Sequence, residues 1–215
     1  MTGTRRSAAE RREQIARAAL RLLGEGGRKS VTTATLAAEV SVTTGALFRH
    51  FPTIDDVLEE SVRIAVGRVR ATFPPEGPDP LDRLLQLARN RVELMGGEAG
   101  IAWLFRSEQA PAQLPPGCLR ALQDVVRESR KFLLGELRKG IAQGTVRDDV
   151  GAEELLVIVT GTIHTLAGTA GVHGGARRPR PPSARKALDA LRKILTPSAR
   201  PRRAPARRRA GSRAT

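Results

Sequence analysis

Apolar residues recur along most of the chain with the spacing of an α-helix. In the first clear stripe, apolar side chains return after three or four residues: Ile15, Ala18, Ala19, Leu22 and Leu23. The same periodicity predicts about nine helices, near residues 7–24, 33–40, 44–50, 53–69, 81–95, 101–109, 118–143, 152–167 and 183–195. No segment alternates apolar and polar residues with the period of two that is typical of a β-strand. The pattern therefore predicts an all-α fold.

Local signals place two helix starts and one interruption. Ser7 with Glu10, and Thr53 with Asp56, have the spacing of a capping box, in which the two side chains bond backbone N–H groups at the helix start. Four prolines interrupt the periodicity between residues 74 and 80, where a helix cannot continue. We therefore expect separate helices on the two sides of this segment.

Composition limits the classes of protein to which the chain can belong. Its 215 residues are 40% hydrophobic, which suits a globular core. The lone cysteine, Cys118, excludes an internal disulfide and a cysteine-based metal site, and we expect neither a metal nor a cofactor. No apolar run is long enough to cross a bilayer, and the first residues lack the apolar centre of a signal peptide. We therefore expect a cytoplasmic protein without a membrane partner.

The formal net charge of +15 indicates a polyanionic partner such as nucleic acid. Nine basic and four acidic residues precede residue 55, and seven arginines without any acid lie in the tail, residues 197–215. We expect the tail to be disordered, because it has almost no bulky apolar group to bury. It is either an arm that adds phosphate contacts or a solubilising extension without a partner of its own.

Residues 32–51 have the pattern of a helix–turn–helix. Two short helices share a small apolar contact, with Ala37 where they cross and a turn at Ser41. Four further apolar side chains complete this contact: Leu36, Val40, Val42 and Leu47. This geometry sets the second helix into the major groove of DNA. The alternative is a helical hairpin that has the same spacing and no such ligand.

The second of these helices offers groups suited to DNA on its other face. Thr43 can cap its start, where free backbone N–H groups favour a phosphate. Gly45 and Ala46 have little side chain, so that the backbone can approach base edges. Arg49 can bind a guanine edge or a phosphate, and His50 can donate to a phosphate. In the alternative hairpin, Arg49 and His50 are simply solvated.

The stretch from Glu10 to Val66 resembles the N-terminal domain of the TetR/AcrR family of bacterial transcriptional regulators. The resemblance is carried by residues 15–23, by Thr32-Thr33-x-x-Leu36-Ala37, and by residues 42–52 with their Gly-Ala-Leu-aromatic-x-His-Phe core. It implies a three-helix DNA-binding head and a larger helical body that dimerises and often holds an effector. It also implies which residues meet the bases or the backbone of DNA: Thr32, Thr33, Thr43, Thr44, Gly45, Ala46, Phe48, Arg49 and His50.

Three positions depart from the family's pattern. Ser41 stands where the turn usually has glycine, so we expect a positive φ there or a different turn. Phe48 replaces the usual tyrosine and has no hydroxyl for a phosphate, and Ile54 replaces a common lysine. A nearby cluster of arginines offers compensating phosphate contacts: Arg5, Arg6, Arg11 and Arg12.

The resemblance implies that the last two long helices pair with a second copy in a four-helix bundle. The residues implied at this interface are Leu155, Ile158, Val159, Thr162, Ile163, Leu166, Leu188, Leu191 and Leu195. The apolar character around much of residues 152–167 agrees with a dimer, although a central helix in a monomer has the same character. A two-fold dimer presents its recognition helices to half-sites about one helical turn apart, which implies a near-palindromic operator.

An effector pocket is expected among the central helices. Its candidates are polarisable or amphipathic: Met95, Trp103, Phe105, Arg106, Cys118, Phe132 and His164. Packing in the core is the alternative for each of them. Arg106 can neutralise an anionic ligand, pair with Glu108 or lie in solvent. Cys118 stands at a predicted helix start, where the pKa of a thiol can fall.

We therefore expect a DNA-binding domain over residues 1–54, an effector-binding and dimerisation domain over 55–196, and the tail. The favoured function is a transcriptional regulator, expected to repress, that binds double-stranded DNA as a homodimer and responds to a small molecule. One alternative is a DNA-binding protein whose body docks another protein, and another is a broadly binding nucleoid-type protein that depends on the tail. No metalloprotease, phosphate-loop or nucleophile-elbow motif is present, so we expect no enzyme.

Overall fold

The structure is a computed structural model, and it describes residues 7–168 and 184–197. In these residues it has ten α-helices, one 3-10 turn at Gly27–Ser30 and no strand, so that the all-α prediction is confirmed. The helices are α1 Ala8–Gly26, α2 Thr33–Glu39, α3 Thr44–Phe48, α4 Ile54–Arg70, α5 Pro80–Gly97, α6 Ala99–Arg106, α7 Ala110–Gln113, α8 Pro116–Gln143, α9 Ala152–Leu166 and α10 Ala184–Leu195. The tenth helix, which the periodicity did not predict, is the single turn α7.

The starts of α1 and α4 are set by the predicted capping boxes. Ser7 Oγ accepts from the Glu10 backbone N–H at 3.2 Å, and the Glu10 carboxylate accepts from the Ser7 N–H at 2.7 Å. The Thr53 hydroxyl and the Asp56 carboxylate make the same reciprocal bonds at 3.1 and 2.9 Å. These bonds satisfy N–H groups that have no partner within the helix, and the helices therefore begin where the pattern predicts.

One hydrophobic core joins the N-terminal helices to the body. It contains side chains of α1 to α4, of α6 and of the first part of α8, among them Ile15, Leu47, Leu58 and Ile101, each 0–1% exposed. The core continues without a break past residue 54, where the boundary between head and body was placed, and that boundary stays a prediction. Because these helices share one core, a displacement of α4 or α6 would also shift α2 and α3, which carry the candidate interface.

A second core holds the remaining long helices together. Side chains of α5, α8, α9 and α10 form it, including Leu84, Leu137, Leu155 and Leu195. Two buried arginines of α5 form hydrogen bonds with polar side chains on other segments of the chain. Arg83 Nη1 donates to Glu136 Oε1 at 2.7 Å, and Arg91 donates to the hydroxyls of Thr72 and Ser129 at 2.5 and 3.0 Å. Burial lowers the pKa of Arg91 to about 10.

Helices α1 and α6 approach each other at backbone distance. A Cβ built on Gly100 would lie 1.9 Å from the carbonyl oxygen of Leu20, and one on Gly24 would lie 2.7 Å from the Cβ of Ala99. Real Cβ atoms do not tolerate such contacts, so only glycine permits this crossing. Helix α6 is thereby pressed directly against the first helix of the head.

The described residues also set limits on other functions. None of their helices has both the length and the apolarity needed to cross a bilayer. They contain no group of three His, Cys, Asp or Glu side chains placed to hold a metal ion. The tail beyond residue 197, together with Arg5 and Arg6, lies outside the described residues, so that its predicted disorder and phosphate contacts stay predictions.

Candidate nucleic-acid interface

Helices α2 and α3 are joined by the predicted tight turn. The Val42 N–H donates to the Ala37 carbonyl at 2.9 Å and the Ser41 N–H to that of Ala38 at 3.1 Å, which reverses the chain within a few residues. The apolar contact between the two helices is buried as predicted: Leu36, Ala37, Val40 and Leu47 are at most 5% exposed, and Val42 packs against them. Leu47 thus anchors α3 from its inner side.

The turn residue Ser41 has a positive φ of 55°, and in the described residues it is the one non-glycine residue with a positive φ. The expectation drawn from the missing glycine is confirmed. A left-handed conformation costs an L-residue with a Cβ roughly 1–2 kcal/mol. The strained residue, Ser41, is the one whose backbone conformation sets the angle between α2 and α3.

Replacing Ser41 by glycine is expected to raise the free energy of unfolding by about 0.5–1 kcal/mol. The relieved strain is larger than the extra unfolded-state entropy of glycine, about 0.5–1 kcal/mol. Urea denaturation measures the change, with Ser41→Ala as the control that keeps the Cβ and therefore the strain. A Ser41→Gly protein less stable than Ser41→Ala would contradict this account of the turn.

Threonines cap both helices of the motif. Thr32 Oγ1 accepts from the Thr35 N–H at 3.2 Å, and Thr43 Oγ1 accepts from the Ala46 N–H at 3.1 Å. Both capping threonines are exposed, and Thr33 is half-buried as the first residue of α2. The caps leave the N-terminal ends of α2 and α3 ordered, with polar groups at the surface.

The outer face of α3 is open to solvent. The Arg49 side chain is exposed, and it makes no ion pair or hydrogen bond with another described residue, although the Arg49 backbone N–H donates to the Leu47 carbonyl. A Cβ on Gly45 would meet nothing within 4 Å, and Phe48 keeps 46% of its surface exposed. All nine residues expected to contact DNA are exposed or half-buried: Thr32, Thr33, Thr43, Thr44, Gly45, Ala46, Phe48, Arg49 and His50. Their contact with DNA stays a prediction.

Helix α1 supports the end of α3 through Arg12. The Arg12 guanidinium donates to the backbone carbonyl of His50 and lies over the ring of Phe51, 4.1 Å from its centroid. Phe51 itself is 1% exposed. Arg12, expected as a phosphate contact, is thus occupied within the protein, where it fixes the segment that follows α3. Sequence reasoning missed this role, because the two partners lie 38 residues apart.

The seven candidate effector residues do not line a single cavity. Met95, Phe105, Arg106 and His164 lie near one another, where α5, α6 and α9 end. Trp103 packs against Gly27 at the end of α1. Phe132 belongs to the second core and makes an edge-to-face contact with Phe73 at 5.3 Å. The candidates thus lie in separate parts of the body, because helical periodicity does not show which helix ends meet, and their contact with an effector stays a prediction.

Cys118 lies in the first core, under a cleft between α4 and α8. Burial, helped by the negative charges of Glu59 and Asp55, raises the pKa of its thiol to about 11. The lowered pKa suggested by its place at a helix start is therefore wrong. At neutral pH the thiol is protonated, which makes it a poor nucleophile.

Six of the nine residues expected at a dimer interface are buried within one copy of the chain: Leu155, Val159, Ile163, Leu188, Leu191 and Leu195, each at most 6% exposed. They pack into the second core and offer almost no surface to a second copy, and their place at an interface stays a prediction. Ile158 is 41% exposed, and Thr162 and Leu166 are half-buried. Val157, which sequence reasoning omitted, is 68% exposed.

Residues 15–61 match the family model of bacterial regulatory proteins of the tetR family. Nucleoid occlusion factor SlmA of Haemophilus influenzae (strain PittGG) is 30% identical over 121 residues, which cover 51% of this chain and 56% of that protein. The chain thus spans little more than half the length of this relative. SlmA of Marinobacter nauticus is 28% identical over 162 residues, covering 71% of this chain and 82% of that protein.

Solved structures share the fold at low sequence identity. The ketosteroid transcriptional regulator KstR2 of Mycobacterium tuberculosis superposes with a TM-score of 0.71 and 19% identity, covering 91% of this chain and 98% of that one. AibR, solved with isovaleryl coenzyme A and operator DNA, has a TM-score of 0.65 and 17% identity, covering 86% and 97%. The chain thus matches the tetR family over residues 15–61, and over most of its length it has the fold of these solved structures.

Proposed function

We propose that this protein is a sequence-specific transcriptional regulator, acting as a repressor, whose binding to DNA is changed by a small-molecule effector. The observation that carries the proposal is the open face of α3, anchored from behind by Leu47 at 1% exposure. A short helix held outward in this way, with Gly45 and Ala46 at its start, lets the backbone approach base edges in the major groove.

The electrostatics of the head support a DNA ligand. In the described residues Arg49 has no acidic partner, so its guanidinium is free to bind a guanine edge bidentately. Arg17 and Arg21, by contrast, are paired with Glu13 and Glu39 at 2.7 and 2.9 Å. These ion pairs neutralise positive charge on parts of the head that lie away from α3.

A second copy is proposed to cover the exposed side of α9. Val157 and Ile158 keep 68% and 41% of their surface exposed, and a Cβ on Gly161 would meet nothing within 4 Å. Large apolar side chains next to a small residue suit the close packing of two helices. A two-fold pair would present two α3 helices, and the operator is then expected to be an inverted repeat.

Selection from random DNA duplexes with the full chain tests the proposal. The expected product is one inverted repeat, bound by two copies and protected over both half-sites. A supporting compound screen then looks for a molecule that weakens binding to this repeat. Equal affinity for the selected repeat and its scrambled version at physiological salt would overturn the proposal.

Replacing Arg49 by alanine is expected to weaken binding to the selected repeat by about 1–3 kcal/mol and to relax specificity at one base pair. Fluorescence anisotropy with the repeat and its single-base variants measures both effects. Arg127→Ala is the control, because Arg127 lies exposed on α8 and is paired with Asp124 in the body. A loss of equal size on every sequence would instead identify Arg49 as a phosphate contact.

The similarity to nucleoid occlusion factors favours a second candidate function. In that case the head binds DNA and the body docks a protein in place of a small molecule. Two results together would favour it: the DNA-bound full chain retains a specific protein partner, and no compound changes its melting temperature or its DNA affinity. A third reading, in which the tail drives broad binding, requires that deletion of residues 197–215 abolish binding.

A further inference from the structure

The ends of three helices form a small apolar contact that is separate from the two large cores. Met95 of α5, Ala102 of α6 and Ala167 just beyond α9 are 6–9% exposed, and Phe105 packs against them. Two basic side chains adjoin this contact. Arg106 follows Ala102 by one turn of α6, and His164 precedes Ala167 by about one turn of α9.

One nitrogen of the Arg106 guanidinium is left without a partner in the described part of the chain. This Nη1 atom is buried, and no described residue accepts a hydrogen bond from it. Nor does Arg106 pair with an acid in the described part of the chain, where other arginines of the body do: Arg68 with Glu98, and Arg70 with Glu128, at 2.5 and 2.6 Å. A buried donor left without a partner costs roughly 1–3 kcal/mol, and more when charged. A ligand that accepts this bond recovers that cost.

The surroundings of Arg106 suit an anion. Burial lowers the pKa of its guanidinium. Arg106 and His164 both adjoin the contact of Met95, Ala102 and Ala167, one from α6 and one from α9. Desolvation of the ring and the positive charge of Arg106 lower the pKa of His164. The Arg106 guanidinium and the His164 imidazole can both donate hydrogen bonds, and neither forms an ion pair with a carboxylate of the described residues. Hydrogen bonds from these groups to an anion are charge-assisted.

We propose that Arg106 and His164 bind the carboxylate of a small apolar molecule, whose remaining part packs against Met95 and Phe105. Access is possible from solvent, because His164 is exposed and Phe105 is only half-buried. A carboxylate fits better than a phosphate, because one guanidinium balances its single charge. The assignment rests on the regulator function proposed above only in that it makes this molecule the effector.

Helix α6 connects this site to the DNA-binding head. Its last residue is Arg106, and near its other end Gly100 lies in backbone contact with α1. Trp103 lies between Gly100 and Arg106 in α6. Its Nε1 atom packs so closely on Gly27 that a Cβ built there would lie 3.0 Å from it. A carboxylate that draws Arg106 toward His164 therefore displaces α6. Because α6 is in backbone contact with α1, this displacement also moves α1.

The only tryptophan of the chain provides the assay, because Trp103 lies one turn before Arg106. The full chain is titrated with acetate, benzoate and hexanoate at constant ionic strength, and Trp103 fluorescence and melting temperature are recorded. Hexanoate or benzoate is expected to give a saturable change. The neutral amide of the same acid is expected to bind at least ~10-fold more weakly, because it lacks the charge-assisted bond.

Arg106→Gln is expected to weaken carboxylate binding by ~10-fold or more. The matched control Arg127→Gln, on the exposed surface of α8, is expected to leave it unchanged. If Arg106→Gln does not fold, His164→Asn, at an exposed position, is expected to weaken binding by ~3-fold or more. The proposal is overturned if none of the three carboxylates binds, if the amide binds equally well, if hexyl phosphate binds more tightly than hexanoate, or if the variants bind like the natural chain.

The same preparations separate this inference from the regulator function. Selective binding to the inverted repeat without any response to carboxylates overturns the carboxylate site alone. Equal binding to the repeat and to scrambled DNA overturns the regulator function, whatever Arg106 binds.

Discussion

Replacing Gly100 by alanine is expected to lower the free energy of unfolding by about 3 kcal/mol. The new Cβ would lie 1.9 Å from the carbonyl oxygen of Leu20 and 2.6 Å from its carbonyl carbon, and neither backbone atom can rotate away as a side chain does. Helices α1 and α6 must therefore separate, and the core that they share with α4 loses contacts. Overpacking of this kind costs about 1–3 kcal/mol or more.

Gly135→Ala is the matched control for Gly100→Ala. Gly135 lies inside α8, and a Cβ there would meet nothing within 4 Å. The higher helix propensity of alanine is then expected to raise the free energy of unfolding by about 0.5–1 kcal/mol. Urea denaturation measures both variants, and DNA affinity is followed in parallel. If Gly100→Ala is as stable as Gly135→Ala, the close crossing of α1 and α6 is wrong.

Replacing Arg83 by methionine is expected to destabilise the protein by about 3–5 kcal/mol, because it leaves a buried carboxylate without its main partner. Glu136 is 4% exposed, and even with Arg83 in place its Oε2 atom has no hydrogen bond to another described residue. Arg83 also donates to the Pro75 carbonyl at 3.1 Å and lies over the ring of Phe132. Its loss therefore also releases the segment before α5.

Two further variants separate burial from charge. Lys139 contacts the same carboxylate at 3.2 Å, but its side chain is 59% exposed, so Lys139→Met is expected to cost less than about 1 kcal/mol. The double variant Arg83→Met/Glu136→Leu is expected to recover much of the lost stability, because apolar replacements of a whole buried ion pair are often neutral. Thermal or urea unfolding checks each value. Equal losses for Arg83→Met and Lys139→Met would contradict the buried pair.

The candidate interface was largely predictable because its determinants are local. The capping boxes at Ser7 and Thr53 and the positive φ of Ser41 each depend on residues within four positions in the sequence. The inward position of Leu47 and the outward position of Arg49 follow from their spacing on one short helix. Signals of this range can be read without knowledge of the remaining fold.

The contacts of the body could not be predicted in the same way. Periodicity marks Leu155, Val159 and Ile163 as apolar, but it does not distinguish a partner helix of the same chain from a second copy. The structure shows that the second core covers them and leaves Val157 exposed. The same limit explains why seven candidate effector residues, all with suitable chemistry, fall in separate places.

The sequence by itself determined the helical class, the helix starts, and the short helix α3 with its outward face, because these follow from hydrophobic spacing and from hydrogen bonds between near neighbours. Only the tertiary structure decided which helices meet. It placed Arg12 behind His50, Arg83 against Glu136 and Gly100 against Leu20, and it left the Nη1 atom of Arg106 without a partner among the described residues. These pairs join residues far apart in the chain, and such contacts depend on how whole helices pack.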